Sequence, residues 1–570
     1  MAKKRKKKRG HSKAVPVLAA LLLILIIGAV GIITSYIKKY TPSDARMNLD
    51  EYYAQTKEDD VALILQDTVS ETKGKLVDGE VYLPYSVAVQ QLGSRFYWDE
   101  ETQAMLYTTA EEVVSIQPES TSYTIGGQTV TEEVPPVRKL EDTYYLALHF
   151  LQDHMQMTAE VYENPNRAVI RYQWETVQTV SAAEDTVIRY QGGIKSPSLG
   201  DVKQGDSLLL LEEMEDWSRV MTQDGLDGYV EKKALGSIQE TELAYTGSYE
   251  EKFPSQVRDH KINLAWHQVT SEAANSAMES DIKDMTGVNV ISPTWFSVVS
   301  TEGNISSLAS KEYVDKAHAK NLEVWGLIDN FNESVSTYDT LVQKSSRSHI
   351  IEMLISEAKR VGLDGINVDF ETLTEEEAPH FIQFIRELSV ACRKEQLVLS
   401  IDNPVPSYTY FYNRKEQGIV ADYVIIMGYD EHTAGFQEAG SVASLPFVEE
   451  GITETLKEVP AQKVINGVPF YTRLWTVGND GSVASEVCSM DQADQYVKEK
   501  GMEVYWNTEV SQNYAEAETE SGTQQIWLED EESLEAKMKL IKEYDLAGCA
   551  AWKLGFERAD VWDIISSYLQ

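Results

Sequence analysis

The chain has 570 residues, of which 42% are hydrophobic, 9% aromatic and 25% charged. That length is too great for one domain, and the balance excludes wholesale disorder, collagen and coiled-coil fibre. The net charge of −40 argues against nucleic acid as a partner, since so acidic a body repels phosphate backbones. Three cysteines (Cys392, Cys488, Cys549) are too few for a disulfide framework or a CxxC-type zinc site, and the nine histidines form no HExxH pairing. No metal chemistry is visible in the sequence.

Charge is unevenly distributed. Residues 1–40 hold ten Lys and Arg and no Asp or Glu, so the other 41 basic residues face all 91 acidic ones. The basic segment 1–13 precedes an apolar run over 14–37, long enough to cross a bilayer as one helix. Eight positive charges before it and Lys38-Lys39 after it predict a cytoplasmic amino end and a body outside the cell membrane. A cleaved signal peptide is the rival reading, but its apolar region is 7–15 residues with an A-x-A-like exit. This run is longer and leaves through SYIKKY.

Residues 38–60 are polar and read as a stalk. Over 61–175 short strands alternate with turns in a weak internal repeat, DGEVYLPYSVAVQQLGSRFYWDEETQAMLYT and then LEDTYYLALHFLQDHMQMTAEVYENPNRAVIRY. Each copy reads as an aromatic strand, a short helix and a hairpin. The stretch resembles the copper amine oxidase N-terminal repeat domain found in many exported bacterial proteins. His149 and His154, its only histidines, share a predicted helix, and no copper site is implied. Residues 183–236 resemble a bacterial SH3-like domain through the Gly205-Asp206 turn, Trp217 and Gly228-Tyr229-Val230. Both modules read as spacers or contacts to a cell wall. Residues 237–260 read as a linker.

From Lys261 the texture changes to apolar strands alternating with amphipathic helices, the pattern of a parallel α/β domain. Eight strand candidates follow one another: INLAWHQV, NVISPTWFSV, LEVWGLID, GINVDFE, LVLSIDNPV, YVIIMGYDE, VINGVPFY and GCAAWKLGF. Eight such units over 261–570 predict a (β/α)8 TIM barrel, whose chemistry sits at the carboxy ends of its strands. Polar residues gather at those ends: Asp329-Asn330, Glu371, Asp402-Asn403, Tyr429-Asp430, Tyr471 and Glu557. Residues 472–545 exceed one βα unit and predict a small α+β insertion.

The fourth strand is the most informative. Side chains alternate along a strand, so Ile366, Val368 and Phe370 face the helices while Asn367, Asp369 and Glu371 face the barrel interior. An amide and two carboxylates on a buried face are costly unless they are bonded or used. With Asp364 in front, the stretch resembles the DxxDxDxE signature of glycoside hydrolase family 18, the chitinase-like enzymes, with Asn367 where the second Asp usually stands. Met427-Gly428-Tyr429-Asp430 and Trp552 are further matches. Tyr429-Asp430-Glu431-His432, Ile526–Ser533 and Leu546–Gly555 are similar to the branch of spore-cortex-lytic, germination-associated N-acetylglucosaminidases.

That resemblance implies a hydrolase of β-1,4-linked N-acetylglucosamine-containing glycan working without metal or organic cofactor. The substrate's acetamido carbonyl attacks the anomeric carbon, giving an oxazolinium ion. Glu371 is then the general acid and base, Asp369 holds the acetamido N–H, and Tyr429 bonds the acetamido oxygen. Trp552 floors the sugar pocket, and Met427 and Asp430 shape it. Asp364 either belongs to this set or orients the strand. Asn367 is expected to donate a neutral hydrogen bond to Asp369. The anchor and wall-type modules favour peptidoglycan as the polysaccharide. A chitinase and a non-catalytic glycan-binding wall protein are the alternatives.

Overall fold

The computed structural model describes residues 14–93, 95–250, 252–520 and 522–569. Helix α1 (Ala14–Tyr40) runs three residues beyond the expected apolar span and is exposed over 17–40. Its stretch Val17–Tyr40 contains an 18-residue window of mean hydropathy 3.0 and is long and apolar enough to cross a membrane.

By internal contacts the chain forms two compact units, and the sequence does not enter them in order. Of the described residues, one takes those from 14 to 93 together with 138–250, and the other takes 95–137 together with those from 252 to 569.

In the first unit, a mixed seven-stranded sheet is built around Asp60–Leu65, which pairs parallel to Arg167–Arg171 and antiparallel to Thr68–Val77. A second, antiparallel seven-stranded sheet runs from Thr176–Ser181 to Gln239–Glu242 and so takes in residues on both sides of 183–236. The expected stalk is folded rather than free. Tyr53 is buried, its hydroxyl donating to the Gly225 carbonyl at 2.8 Å, and Arg46 pairs with Asp201 at 2.7 Å. The polar residues around it hide an aromatic that pays no desolvation cost once its hydroxyl is bonded.

The second unit is a closed parallel barrel of eight strands. These are β1 (Ile262–His267), β2 (Val290–Val298), β3 (Glu323–Asp329), β4 (Gly365–Asp369), β5 (Val398–Pro404), β6 (Tyr423–Met427), β7 (Val464–Pro469) and β8 (Gly548–Trp552). Each pairs with the next, and β8 closes on β1 with Leu264 opposite Ala550. All eight expected strands are present. They are buried almost throughout, as parallel strands covered by helices must be.

Helices α2 (Lys344–Val361) and α3 (Ala378–Glu395) flank β4 in sequence. Phe370 stacks on Phe384 of α3 at 5.6 Å, which fixes the outward face of that strand. Between β7 and β8 the expected insertion is a five-stranded antiparallel sheet with helix Met490–Lys500. Helix α4 (Glu531–Glu543) then returns the chain to the barrel.

Two departures concern the barrel's borders. The end of the expected linker is bound to the barrel: the Gln256 amide donates to Asp422 at 2.6 Å, and Arg258 pairs with Glu323 at 2.8 Å. The first repeat's hairpin, Phe96–Asp99 with Ala104–Thr108, packs on α2 and α3 rather than with the rest of its repeat. Arg347, fully buried, meets Glu387 at 3.0 Å and Asp99 at 3.4 Å, and its guanidinium lies 5.1 Å from the Tyr97 ring centre. Arg95 and Arg386 share Glu416 at 2.6 and 2.7 Å.

Candidate active site

The site is built where β4 leaves the barrel. Gly365 opens that strand because a side chain there meets the Val398 carbonyl at 2.9 Å and the Trp325 ring at 2.8 Å. From this close start the pleat carries Asn367 and then Asp369 inward. Asn367 is fully buried and uses its whole hydrogen-bonding capacity. Its Oδ1 accepts from Trp266 Nε1 (2.9 Å) on β1 and Ser292 Oγ (3.1 Å) on β2. Its Nδ2 donates to Ser400 Oγ (3.0 Å) and Asp402 Oδ1 (2.8 Å) on β5. The expected bond from Asn367 to Asp369 is therefore absent, because four other partners occupy the amide.

Asp369 is 5% exposed, and its Oδ1 is buried without a hydrogen-bond partner. Burial, then the charges of Asp402, Glu371 and Asp329, push its carboxyl well above the usual carboxylate range. Two residues on, burial followed by Asp430 and Asp329 pushes Glu371 up to about 7. That value suits an acid that must hold its proton near neutrality. Asn330 grips the backbone of Glu371 from the end of β3. Thr372, immediately after it, sits at φ 53°, a left-handed backbone strained for a β-branched residue.

Across the barrel mouth Tyr429 follows β6 and is 8% exposed. Gly467 makes room for it, since a Cβ there lies 3.1 Å from its ring. The Trp266 ring lies edge-on to Tyr429 at 6.5 Å and to Trp552 at 6.0 Å, so three aromatics converge at the mouth. Tyr471 donates to Asp430 Oδ1 at 2.6 Å, and Met427 ends β6 buried.

Asn367, Asp369, Glu371, Tyr429, Asp430, Met427 and Trp552 thus sit on barrel strands or the turns that follow them. Asp364 does not join them. It precedes β4, accepts the Val324 amide at 2.7 Å and meets His318 Nε2 at 2.8 Å, so it fixes the entry of the strand. Trp266, Ser292 and Ser400 were not anticipated, since only the closed barrel sets them around Asn367. Among the described residues no group of three or more His, Cys, Asp or Glu is arranged to hold a metal ion.

The profile for glycosyl hydrolases family 18 matches residues 261–557, and that of the copper amine oxidase N-terminal domain matches 65–170. The chain belongs to glycosyl hydrolases family 18: it is a glycan-hydrolysing enzyme. Among curated relatives, the glycosylase YvbX of Bacillus subtilis is 27% identical over 277 residues, 46% of this chain and 80% of that protein. The cortical fragment-lytic enzyme of the same organism is 27% identical over 236 residues, 40% of this chain and 54% of that protein. The chain thus spans about half the length of this second relative. The crystal structure of the Bacillus cereus spore cortex-lytic enzyme SleL shares the fold, with TM-score 0.50 and 18% identity over 58% of this chain and 79% of that one.

Proposed function

We propose that this chain is a membrane-anchored, outward-facing hydrolase of β-1,4-linked N-acetylglucosamine-containing glycan, with peptidoglycan as its substrate. The observation that carries the reading is the pairing of Glu371, held up to about 7, with Asp369, buried and one oxygen short of a partner. A proton donor and an unsatisfied acceptor side by side suit a substrate that brings both a leaving oxygen and an N–H.

Glu371 protonates the glycosidic oxygen as the acetamido carbonyl oxygen bonds to the anomeric carbon. Asp369 accepts the acetamido N–H and offsets the positive charge of the oxazolinium ion. Tyr429 donates to the acetamido oxygen, and Trp552 lies beneath the ring. Glu371 then takes a proton from water, which opens the oxazolinium with retained configuration. Both bonds to the anomeric centre form and break without a covalent enzyme intermediate.

Peptidoglycan is favoured over chitin by the exposed helix α1 and by the cortex-related names of the relatives. A reducing-end assay on purified peptidoglycan and chitin oligomers tests this, with the anomer of the first product read by NMR. Turnover of chitin oligomers alone overturns the substrate, and an inverted product overturns the mechanism. Fractionation of cells tests the anchor: a soluble form beginning near residue 41 overturns it.

A further inference from the structure

The strand beside β4 carries a buried carboxyl that is bonded to Asn367. Asp402 on β5 is 1% exposed and faces the barrel interior, since its Oδ1 accepts from Asn367 Nδ2 at 2.8 Å. The ladder between β4 and β5 pairs Asn367 with Ser400 and Val368 with Ile401. That ladder ends there, and one residue further along each strand stand Asp369 and Asp402, on the inward side that Asn367 and Ser400 share by the alternation of side chains.

Trp266 Nε1 is a donor only, so it fixes the Asn367 amide with oxygen toward β1 and nitrogen toward Asp402. With all four of its positions filled, Asn367 leaves Asp369 to find another partner. The Oδ1 of Asp369 is the orphan that needs one.

We propose that Asp402 is the proton partner of Asp369, a positioning residue that shares one proton with it across the β4–β5 ladder. The inference rests on the reading of Asp369 given under Proposed function. The charges acting on Asp369 are those of Asp402, Glu371 and Asp329, and Asp402 faces Glu371 as well, with no cation among them. Tyr429 from β6 faces both and is itself held neutral by burial. Two buried carboxyls without a cation cannot both ionise, so the pair carries one proton and a single negative charge. When Asp369 accepts the acetamido N–H, the proton resides on Asp402. When the product leaves, it returns to a position between the two. No proton enters or leaves the pair, and Asp369 is kept as the acceptor the oxazolinium needs.

The test has two readouts on the full chain. In a Glu371→Gln background, the infrared difference spectrum between that variant and the same variant carrying Asp402→Asn, at pH 7, is expected to show one carboxylic-acid stretch that Asp402→Asn abolishes. Absence of that band, or its survival in Asp402→Asn, overturns the proposal. With Glu371 intact, Asp402→Asn is expected to lower kcat on N-acetylated glycan about 10- to 100-fold with little change in KM, as for other outer partners of a reacting group. The relocated pair Asn367→Asp with Asp402→Asn should regain most of that loss. A kcat unchanged in Asp402→Asn, with only the melting temperature lowered, makes the residue structural and overturns the proposal. Inactivity of the wild-type chain on acetylated glycan sinks the functional reading instead and leaves the infrared band to be judged alone.

Discussion

Asn330 and Glu371 are joined by a reciprocal pair of hydrogen bonds: the amide of Glu371 donates to Asn330 Oδ1 at 2.9 Å, and Asn330 Nδ2 donates to the Glu371 carbonyl at 3.1 Å. Asn330 follows β3 and Glu371 follows β4, so the pair fixes the backbone of Glu371 just where regular strand pairing ends. Asn330 Nδ2 is itself tied to Thr337 Oγ1 at 3.0 Å. Glu371, the proposed acid, is therefore aimed by a side chain that touches none of its carboxyl atoms.

Asn330→Ala should leave glycan affinity nearly unchanged while kcat falls, since the acid loses its aim and not its proton. Three lost hydrogen bonds should cost about 1.5–4.5 kcal/mol of stability. Parallel thermal melts and initial rates check both, and an unaltered kcat removes Asn330 from the catalytic argument.

Glu371→Gln should reduce turnover by about 10²–10⁴-fold with the fold intact. It should also alter stability with a definite sign. The folded-state value of about 7 lies above the ordinary 4.5, so protonated Glu371 stabilises the fold fully below pH 4.5. That contribution is lost as pH rises through 7. Melting temperatures of mutant and wild type should thus diverge from pH 5 to pH 8, with the mutant gaining.

Activity should fall on the alkaline side as Glu371 ionises near pH 7. Asp430 is the largest charge holding it up, after burial. Asp430→Asn preserves an acceptor for Tyr471 but removes that charge, so the alkaline limb of kcat/KM should move to lower pH. A limb that stays in place assigns it to another group.

If the acetamido group supplies the nucleophile, glycan bearing free amines at the cleaved sugar should bind and not be hydrolysed. Asp369→Asn should lower kcat by about 10²–10³-fold, because its charge is needed where the oxazolinium forms. Cleavage of the de-acetylated glycan at the wild-type rate refutes the mechanism.

Arg347→Ala should destabilise the barrel unit by about 3–5 kcal/mol, because it strands Glu387 and Asp99 in a buried site. Calorimetry of the full chain reads this directly. Residual activity per folded molecule should be unchanged, since Arg347 lies on the outer helices.

The alternation in β4 was legible because it depends on one strand alone: Asn367, Asp369 and Glu371 share a face whatever surrounds them. The partners of Asn367 were not, because Trp266, Ser292 and Ser400 come from three other strands whose register only closure of the barrel sets. Asp364 looked like a site residue through its spacing, yet it stands before β4 begins, where the pleat no longer governs direction. The segment around Tyr53 looked like a stalk because its polar majority outweighs its three tyrosines in any average. The hairpin at 96–108 looked like repeat structure because a strand pair does not announce which helices will cover it.

The contact between that hairpin and helix α2 has a consequence for the order of synthesis. Asp99 and Arg347 are 248 positions apart, and Arg95 and Glu416 are 321 apart. The hairpin is made, and in an exported chain delivered, long before the helices that bury its charges exist. Contacts of such separation form late. A truncated chain that stops short of Arg347 leaves Asp99 with no guanidinium to meet, and a barrel cut free at residue 252 leaves Arg347 half-answered. The catalytic unit is therefore completed only when helices made 248 or more residues later return to its first-made hairpin.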